Sequence, residues 1–221
     1  MLVELSDIEV GAMGCLVEKA LTTPEYYPLT LNALKMACNQ TSNREPVVSY
    51  DDKTVVRAIE SLREKQLALL VTGHGSRVPK YKHTFARRFQ LNEQEVAVLC
   101  VLMLRGPQTV GELRGRTARL YEFSDLAEMT ETLRSLSARG EGAFVMQLPR
   151  QPGRKESRYA HLLSGEPEIT EEVLALPREA AVRAVFAEDE RIAKLEAEVQ
   201  ELRAELEELK QRFGDFKQQF E

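Results

Sequence analysis

The sequence is short of several things at once. It has no Trp, and Phe and Tyr together make up only 6% of its 221 residues. Its longest unbroken apolar run is the nine residues from Val96 to Leu104. A membrane-spanning helix needs about 20, so no membrane segment is expected. The start, Met1-Leu2-Val3-Glu4, lacks the basic opening and apolar stretch of a secretion signal. The three Cys, Cys15, Cys38 and Cys100, are odd in number and far apart, in apolar helical patterns. That argues against a disulfide framework and for a reducing compartment, so a cytoplasmic location is expected.

Chemistry-bearing motifs are missing as well. His74, His83 and His161 have no second His, Cys or carboxylate at metal-ligand spacing, and there is no Cys-x-x-Cys. His83 and His161 sit at matching positions of a repeated pattern, each two residues after a Tyr, and read as packing residues at the base of a hairpin. No nucleophile elbow, Walker loop or dinucleotide-binding glycine pattern occurs. The paired acids Glu171-Glu172 and Glu207-Glu208 read as solvated helix surface. The expectation is a non-enzyme with no catalytic residue, no metal and no cofactor.

What the chain does contain is an internal repeat. Leu5-Ser6-Asp7-Ile8-Glu9-Val10 recurs as Leu91-Asn92-Glu93-Gln94-Glu95-Val96. Each is a helix start with a capping box (Ser6 with Glu9, Asn92 with Glu95) and a hydrophobic staple. Thr30 with Leu34 is matched by Thr109 with Leu113, where Thr109 and Glu112 form a further capping box. Amphipathic stripes follow at Val55, Ile59 and Leu62, and at Met129, Leu133 and Leu136. Asp51 or Asp52, and Ser124, are the expected caps. Short apolar segments, Leu67 to Val71 and Phe144 to Leu148, then lead through basic turns to Lys80-Tyr81-Lys82-His83 and Arg158-Tyr159-Ala160-His161. Three helices, a strand, a turn and a strand is the order of a winged helix-turn-helix domain. The expected fold is mainly α with small β wings: two tandem winged helix-turn-helix domains, 1–88 and 89–165, a linker 166–186, and a coiled-coil helix 187–221.

Particular strings also resemble a family. Leu21-Thr22-Thr23-Pro24-Glu25-Tyr26-Tyr27-Pro28-Leu29-Thr30, Ala37-Cys38-Asn39-Gln40, Ser42-Asn43-Arg44 and Gly75-Ser76-Arg77-Val78-Pro79-Lys80-Tyr81 carry the resemblance. So do Leu104-Arg105-Gly106-Pro107-Gln108-Thr109 and Leu148-Pro149-Arg150. Over residues 5–165 the chain resembles the YceH-type family of uncharacterised bacterial proteins. The resemblance implies a tandem winged-helix fold and no particular activity.

Charge is uneven. Residues 1–90 carry a net +2, residues 91–165 a net +1 and residues 166–221 a net −8. Each hairpin turn is +3 by itself: Arg77, Lys80 and Lys82 in the first, and Arg150, Arg154, Lys155 and Arg158 against Glu156 in the second. Cations gathered on protruding hairpins suit contact with phosphates. Lys53 and Arg57 on the first recognition helix could reach base edges, although Asp51 and Asp52 place acid at its leading end. Asn43 and Arg44 either form a turn or meet a phosphate. The second third helix, exposing Asp125, Glu128, Glu131 and Arg134, suits a protein contact. The leading expectation is a transcriptional regulator that binds double-stranded DNA through both wings and the first recognition helix. The alternative is a protein-interaction scaffold without DNA binding.

The acidic tail carries a strict heptad. Ile192, Val199, Leu206, Phe213 and Phe220 fall at a, and Leu195, Leu202, Leu209 and Phe216 at d. β-branched residues at the first two a positions with Leu at d favour a parallel two-stranded coil. The pairs Arg191 with Glu196, Glu198 with Arg203 and Glu205 with Lys210 agree with that orientation. The alternative is a tail folded back on its own domains. A homodimer built on Ile192, Leu195, Val199, Leu202, Leu206 and Leu209 predicts that Leu202→Asp with Leu206→Asp sediments as a monomer. Equal masses for wild type and mutant would sink the dimer.

Overall fold

In the computed structural model, the residues described are 3–72, 78–140, 142–150 and 156–167. The linker beyond residue 167 and the whole heptad, Ile192 to Leu209 included, lie outside them. Among the described residues no helix is long and apolar enough to cross a membrane.

The chain opens with α1 (Asp7–Thr22), whose start is the capping box read from sequence. The Ser6 N–H donates to Glu9 Oε2 at 2.7 Å, and Ser6 Oγ accepts from the Glu9 N–H. A two-residue strand β1 (Leu29–Thr30) and helix α2 (Leu31–Cys38) follow, the latter capped by Thr30. Helix α3 (Asp52–Glu64) is capped by Asp51. Strands β2 (Ala68–Val71) and β3 (Lys80–His83) then form a hairpin. β1 joins the far side of β3, giving an antiparallel sheet in the order β1-β3-β2.

A short helix, α4 (Phe85–Arg88), connects to the second run of elements. These are α5 (Glu93–Arg105), α6 (Val110–Thr117), α7 (Leu126–Ser137), β4 (Val145–Gln147) and β5 (Tyr159–His161). Asn92 and Thr109 head capping boxes with Glu95 and Glu112. The cap of α7 is Asp125, not Ser124. Ser124 instead gives both its N–H and its Oγ–H to Glu128 Oε2, at 2.8 and 2.7 Å, which leaves the Asp125 carboxylate to accept from the Glu128 N–H. The fold is thus mainly helical with two small antiparallel sheets.

The repetition extends to a detail that periodicity does not carry. Leu29 pairs with Tyr81 in β3. At the matching place Gln108 bridges Tyr159 in β5, by bonds of 3.0 and 2.7 Å. The residue before each second-helix cap therefore meets the Tyr of each returning strand.

Both repeats lie in one compact unit, Met1–Glu168, with a shared core. α1 and α5 form its centre and pack on each other. Their approach depends on Gly14, where a Cβ would stand 2.8 Å from Leu104 Cδ2 and 3.1 Å from Met103 Cβ. Gly14 O also accepts the Cys100 thiol at 3.6 Å. α5 is buried almost all round, from Glu95 to Leu104, because it faces α1 on one side and α6 and α7 on the others. Phe85, Phe89 and Phe144 form an edge-to-face chain at 5.4 and 5.2 Å across the connection. Such pairs add about 0.5–1.5 kcal/mol each beyond their area burial.

His83 and His161, at the ends of β3 and β5, are held at the strand bases. The Nδ1 of each is buried and finds no hydrogen-bond partner among the described residues. Burial pushes both imidazoles down from near 6.5 to about 4. They are neutral in the folded chain and protonate on unfolding, so the unfolded state binds more protons between pH 6.5 and 4. Stability is full above that window and falls as pH drops through it, by up to about 1.4 kcal/mol per pH unit for each histidine. Glu9, lowered to about 2, adds its loss only below the ordinary carboxylate value of 4.5. The urea midpoint should therefore drop between pH 7 and pH 5, and His83→Gln with His161→Gln should flatten the drop. A wild-type midpoint that is the same at both pH values would refute it.

Candidate nucleic-acid interface

The helix expected to read bases presents Lys53 and Arg57 to solvent, with Arg63 further along the same helix. The two acids at its leading end have structural partners. Asp51 Oδ1 accepts from the Thr54 N–H at 2.8 Å, and Asp52 pairs with Lys35 of α2 at 2.7 Å. Asp51 is fully exposed, and its bonds to Thr54 lower its pKa. Negative charge at a helix start is favoured by the helix dipole, and Lys35 offsets one of the two.

β2 packs against α3, and β3 lies beside β2. Lys82 is exposed on β3, while Lys80 is half-buried between its strand partners Thr30 and Val71. Neither makes an ion pair with the described residues. Arg150 is exposed at the start of the second turn. Arg77, Arg154 and Lys155 lie outside the described residues.

Three expected contacts are committed elsewhere. Arg158 pairs with Glu112 at 2.9 Å, donates to Pro107 O at 2.6 Å, and its side chain is only 16% exposed. It serves the α6 capping box rather than an open wing. The first repeat has Ala33 where the second has Glu112, so Lys80 finds no carboxylate there. Arg44 is also turned inward, with its side chain 4% exposed. It grips both Glu18 oxygens, at 3.1 and 2.6 Å, and donates to Ala37 O, Asn43 O and Gln40 Oε1. All its N–H groups are used, which removes it as a phosphate contact. Burial works against its charge, yet Glu18 holds its pKa above the ordinary arginine value. Asn43, in the left-handed region at φ 58°, accepts from Arg105 through Oδ1. The turn reading of this pair is the one the geometry supports.

Two further groupings were not legible as such. Cys15 and Cys38, distant in sequence, are buried where α1 packs on α2 and line the same hollow. All three thiols are buried and free. The neighbouring Cys15 thiol and burial push the Cys38 thiol up, and burial does the same to Cys100. The second grouping is a set of cations, Lys19, Arg105, Arg116 and Arg119, lining one cleft. Arg116 and Arg119 stand three apart at the end of α6, and the acid-free run Arg114 to Arg119 was the available signal. No group of three or more His, Cys, Asp or Glu arranged for a metal occurs among the described residues.

Known proteins match this chain over most of its length. Residues 5–154 match the family described as "Protein of unknown function, DUF480". A UPF0502 protein of Geotalea uraniireducens (strain Rf4) is 58% identical over 199 residues, 90% of each chain. Another, from Geotalea daltonii, is 57% identical over 196 residues, covering 89% of this chain and 88% of that one. A UPF0502 protein of Geobacter sulfurreducens is 52% identical over 195 residues, 88% of each. With a match spanning well over half its residues, and in keeping with the YceH-type resemblance, the chain belongs to the DUF480 family of bacterial proteins.

Proposed function

We propose that the two repeats are winged helix-turn-helix domains and that the protein is a non-enzymatic, DNA-binding transcriptional regulator. α3 is the base-reading helix in this account, and the β2–β3 hairpin is its wing. The observation that carries the reading is on α3. Lys53 and Arg57 are exposed and unpaired with carboxylates among the described residues, while both acids beside them are occupied as a cap and as a partner of Lys35. Lys82 on the adjoining sheet adds a further exposed cation, and Arg150 one on the second turn. Phosphate contacts would come from Lys82, Arg150 and the turn residues Arg77, Arg154 and Lys155, and base contacts from Arg57 and Lys53. A coiled-coil homodimer would place two copies on one duplex.

A specific observation favours a second reading. β2 exposes Leu69 and Leu70, and Val78 is exposed near the same hairpin. α7 opens on an exposed Leu126 beside Asp125 and Glu131. Apolar side chains on a wing and an acidic helix suit a protein partner better than a duplex.

Salt-dependent fluorescence anisotropy on random and genomic duplexes separates the two. DNA binding through phosphates predicts an affinity that falls steeply with salt. Lys82→Ala should weaken binding to all sequences alike and reduce the log–log salt slope by about 1. Arg57→Ala should cost about 1–3 kcal/mol and relax preference at one base position. No binding at about 50 mM salt, with micromolar protein, would reject the DNA reading and leave the protein-contact one.

A further inference from the structure

The chain has a cleft of about 240 Å³ between the C-terminal half of α1, the α2–α3 loop, α5 and the end of α6. Four cations line it: Lys19, Arg105, Arg116 and Arg119. One carboxylate does so, Glu18, and Arg44 already holds both its oxygens, at 3.1 and 2.6 Å. The second Glu18 oxygen also stands 3.6 Å from Lys19. The lining therefore carries four cations against one carboxylate.

What orients these cations matters as much as their number. Lys19 donates to the amide oxygen of Gln40 at 3.4 Å. Arg105 donates to that of Asn43, and Arg116 to that of Gln108. Amide oxygens hold a cation in place without cancelling its charge. Gln108 is itself fixed, buried and donating to Arg105 O and Gly106 O. Arg116 thus stands on a rigid support. Arg119 is exposed and makes no hydrogen bond or ion pair with the described residues. Concentrating like charges in a concave site is unfavourable unless an anion offsets them. Guanidinium groups match phosphate oxygens by forked, charge-assisted hydrogen bonds.

We propose that this cleft, through Lys19, Arg105, Arg116 and Arg119, binds an anion carrying a phosphate group. Its volume is below the roughly 300 Å³ at which pockets for drug-sized ligands begin. It suits a phosphate group with a small remainder, either a free phosphorylated molecule or one phosphate of a nucleic-acid backbone. The assignment does not depend on duplex binding by α3.

The test is calorimetric titration of the full chain with inorganic pyrophosphate in chloride buffer, followed by duplex anisotropy on the same variants. Arg119→Glu and Arg116→Gln are the cleft variants. Arg87→Glu, at an exposed position of α4 outside the cleft, is the charge-matched control for Arg119→Glu. Because Arg119 makes no hydrogen bond or ion pair with the described residues, and its charge is repelled by its neighbours, Arg119→Glu should not lower the thermal midpoint. Saturable pyrophosphate binding with a Kd at or below about 1 mM, weakened at least about tenfold by Arg119→Glu and not by Arg87→Glu, supports the site. With duplex affinity unchanged by Arg119→Glu, the ligand is a free phosphorylated molecule. If Arg119→Glu weakens duplex binding well beyond Arg87→Glu, the ligand is a backbone phosphate, whether or not pyrophosphate also binds. If neither pyrophosphate nor duplex binding responds to Arg119→Glu and Arg116→Gln beyond the control, the site is overturned. A chain that binds pyrophosphate here and no duplex refutes the DNA reading and keeps this one.

Discussion

A buried carboxylate organises each repeat. Glu9 and Glu95 are only 5% and 2% exposed, although both are the third residue of a helix, where such side chains ordinarily sit in water. Each does two jobs. One oxygen closes the capping box by accepting the N–H of Ser6 or Asn92. The carboxylate also reaches the end of the third helix. Glu9 takes Lys65 Nζ at 2.7 Å, with Ser61 lining the same hollow as Glu9. Glu95 takes Arg139 at 3.4 Å and Ser135 Oγ at 2.9 Å. Serine and cation stand four apart in both cases, one turn of the third helix and its exit. A charge removed from water is tolerated only when partnered in this way, so the pair sets where the third helix ends relative to the first.

The rest of the arrangement follows from those two anchors. Arg139 does more than its counterpart Lys65. It donates to Phe89 O and Gln90 O, at 2.6 and 2.9 Å, and its guanidinium lies 5.7 Å from the Phe144 ring centre. It therefore ties the connection between the repeats to the core of the second. The close passage of α1 over α5 at Gly14 then joins the two cores. The Leu5 N–H donates to Leu163 O at 2.7 Å, which brings the entry of the first repeat to the exit of the second. The charged cleft forms at this junction because it draws on α1 and the α2–α3 loop of one repeat and α5 and α6 of the other. Neither repeat alone contains it.

Much of the fold was legible because its signals are local. Capping boxes and staples lie within six residues, and the stripes of α3 and α7 within a dozen. The Leu29 and Gln108 bridges were not legible, since one or two residues of strand carry no period. Ser124 and Asp125 are both good caps, and only the position of Glu128 decides between them. The site was harder for a different reason. Counting charges along a hairpin placed Arg158 with Arg150 and Arg154, but whether an Arg faces solvent depends on a carboxylate elsewhere in the chain. Glu112 claims Arg158 from 46 positions away and Glu18 claims Arg44 from 26. The cleft was invisible to the same count because its cations come from α1, α5, α6 and the turn that follows α6.

The claim that the buried glutamates set each repeat is tested most directly by a double-mutant cycle on Glu95 and Arg139. Urea unfolding of wild type, Glu95→Ala, Arg139→Ala and the double variant gives the coupling energy. Glu95 is buried and stands 3.4 Å from the part-exposed Arg139, so each single change, which leaves a buried polar group short of a partner, is predicted to cost about 1–3 kcal/mol. The double variant should then recover at least about 1 kcal/mol relative to their sum. Additivity within about 0.3–0.5 kcal/mol would mean the two residues act independently and would contradict the account.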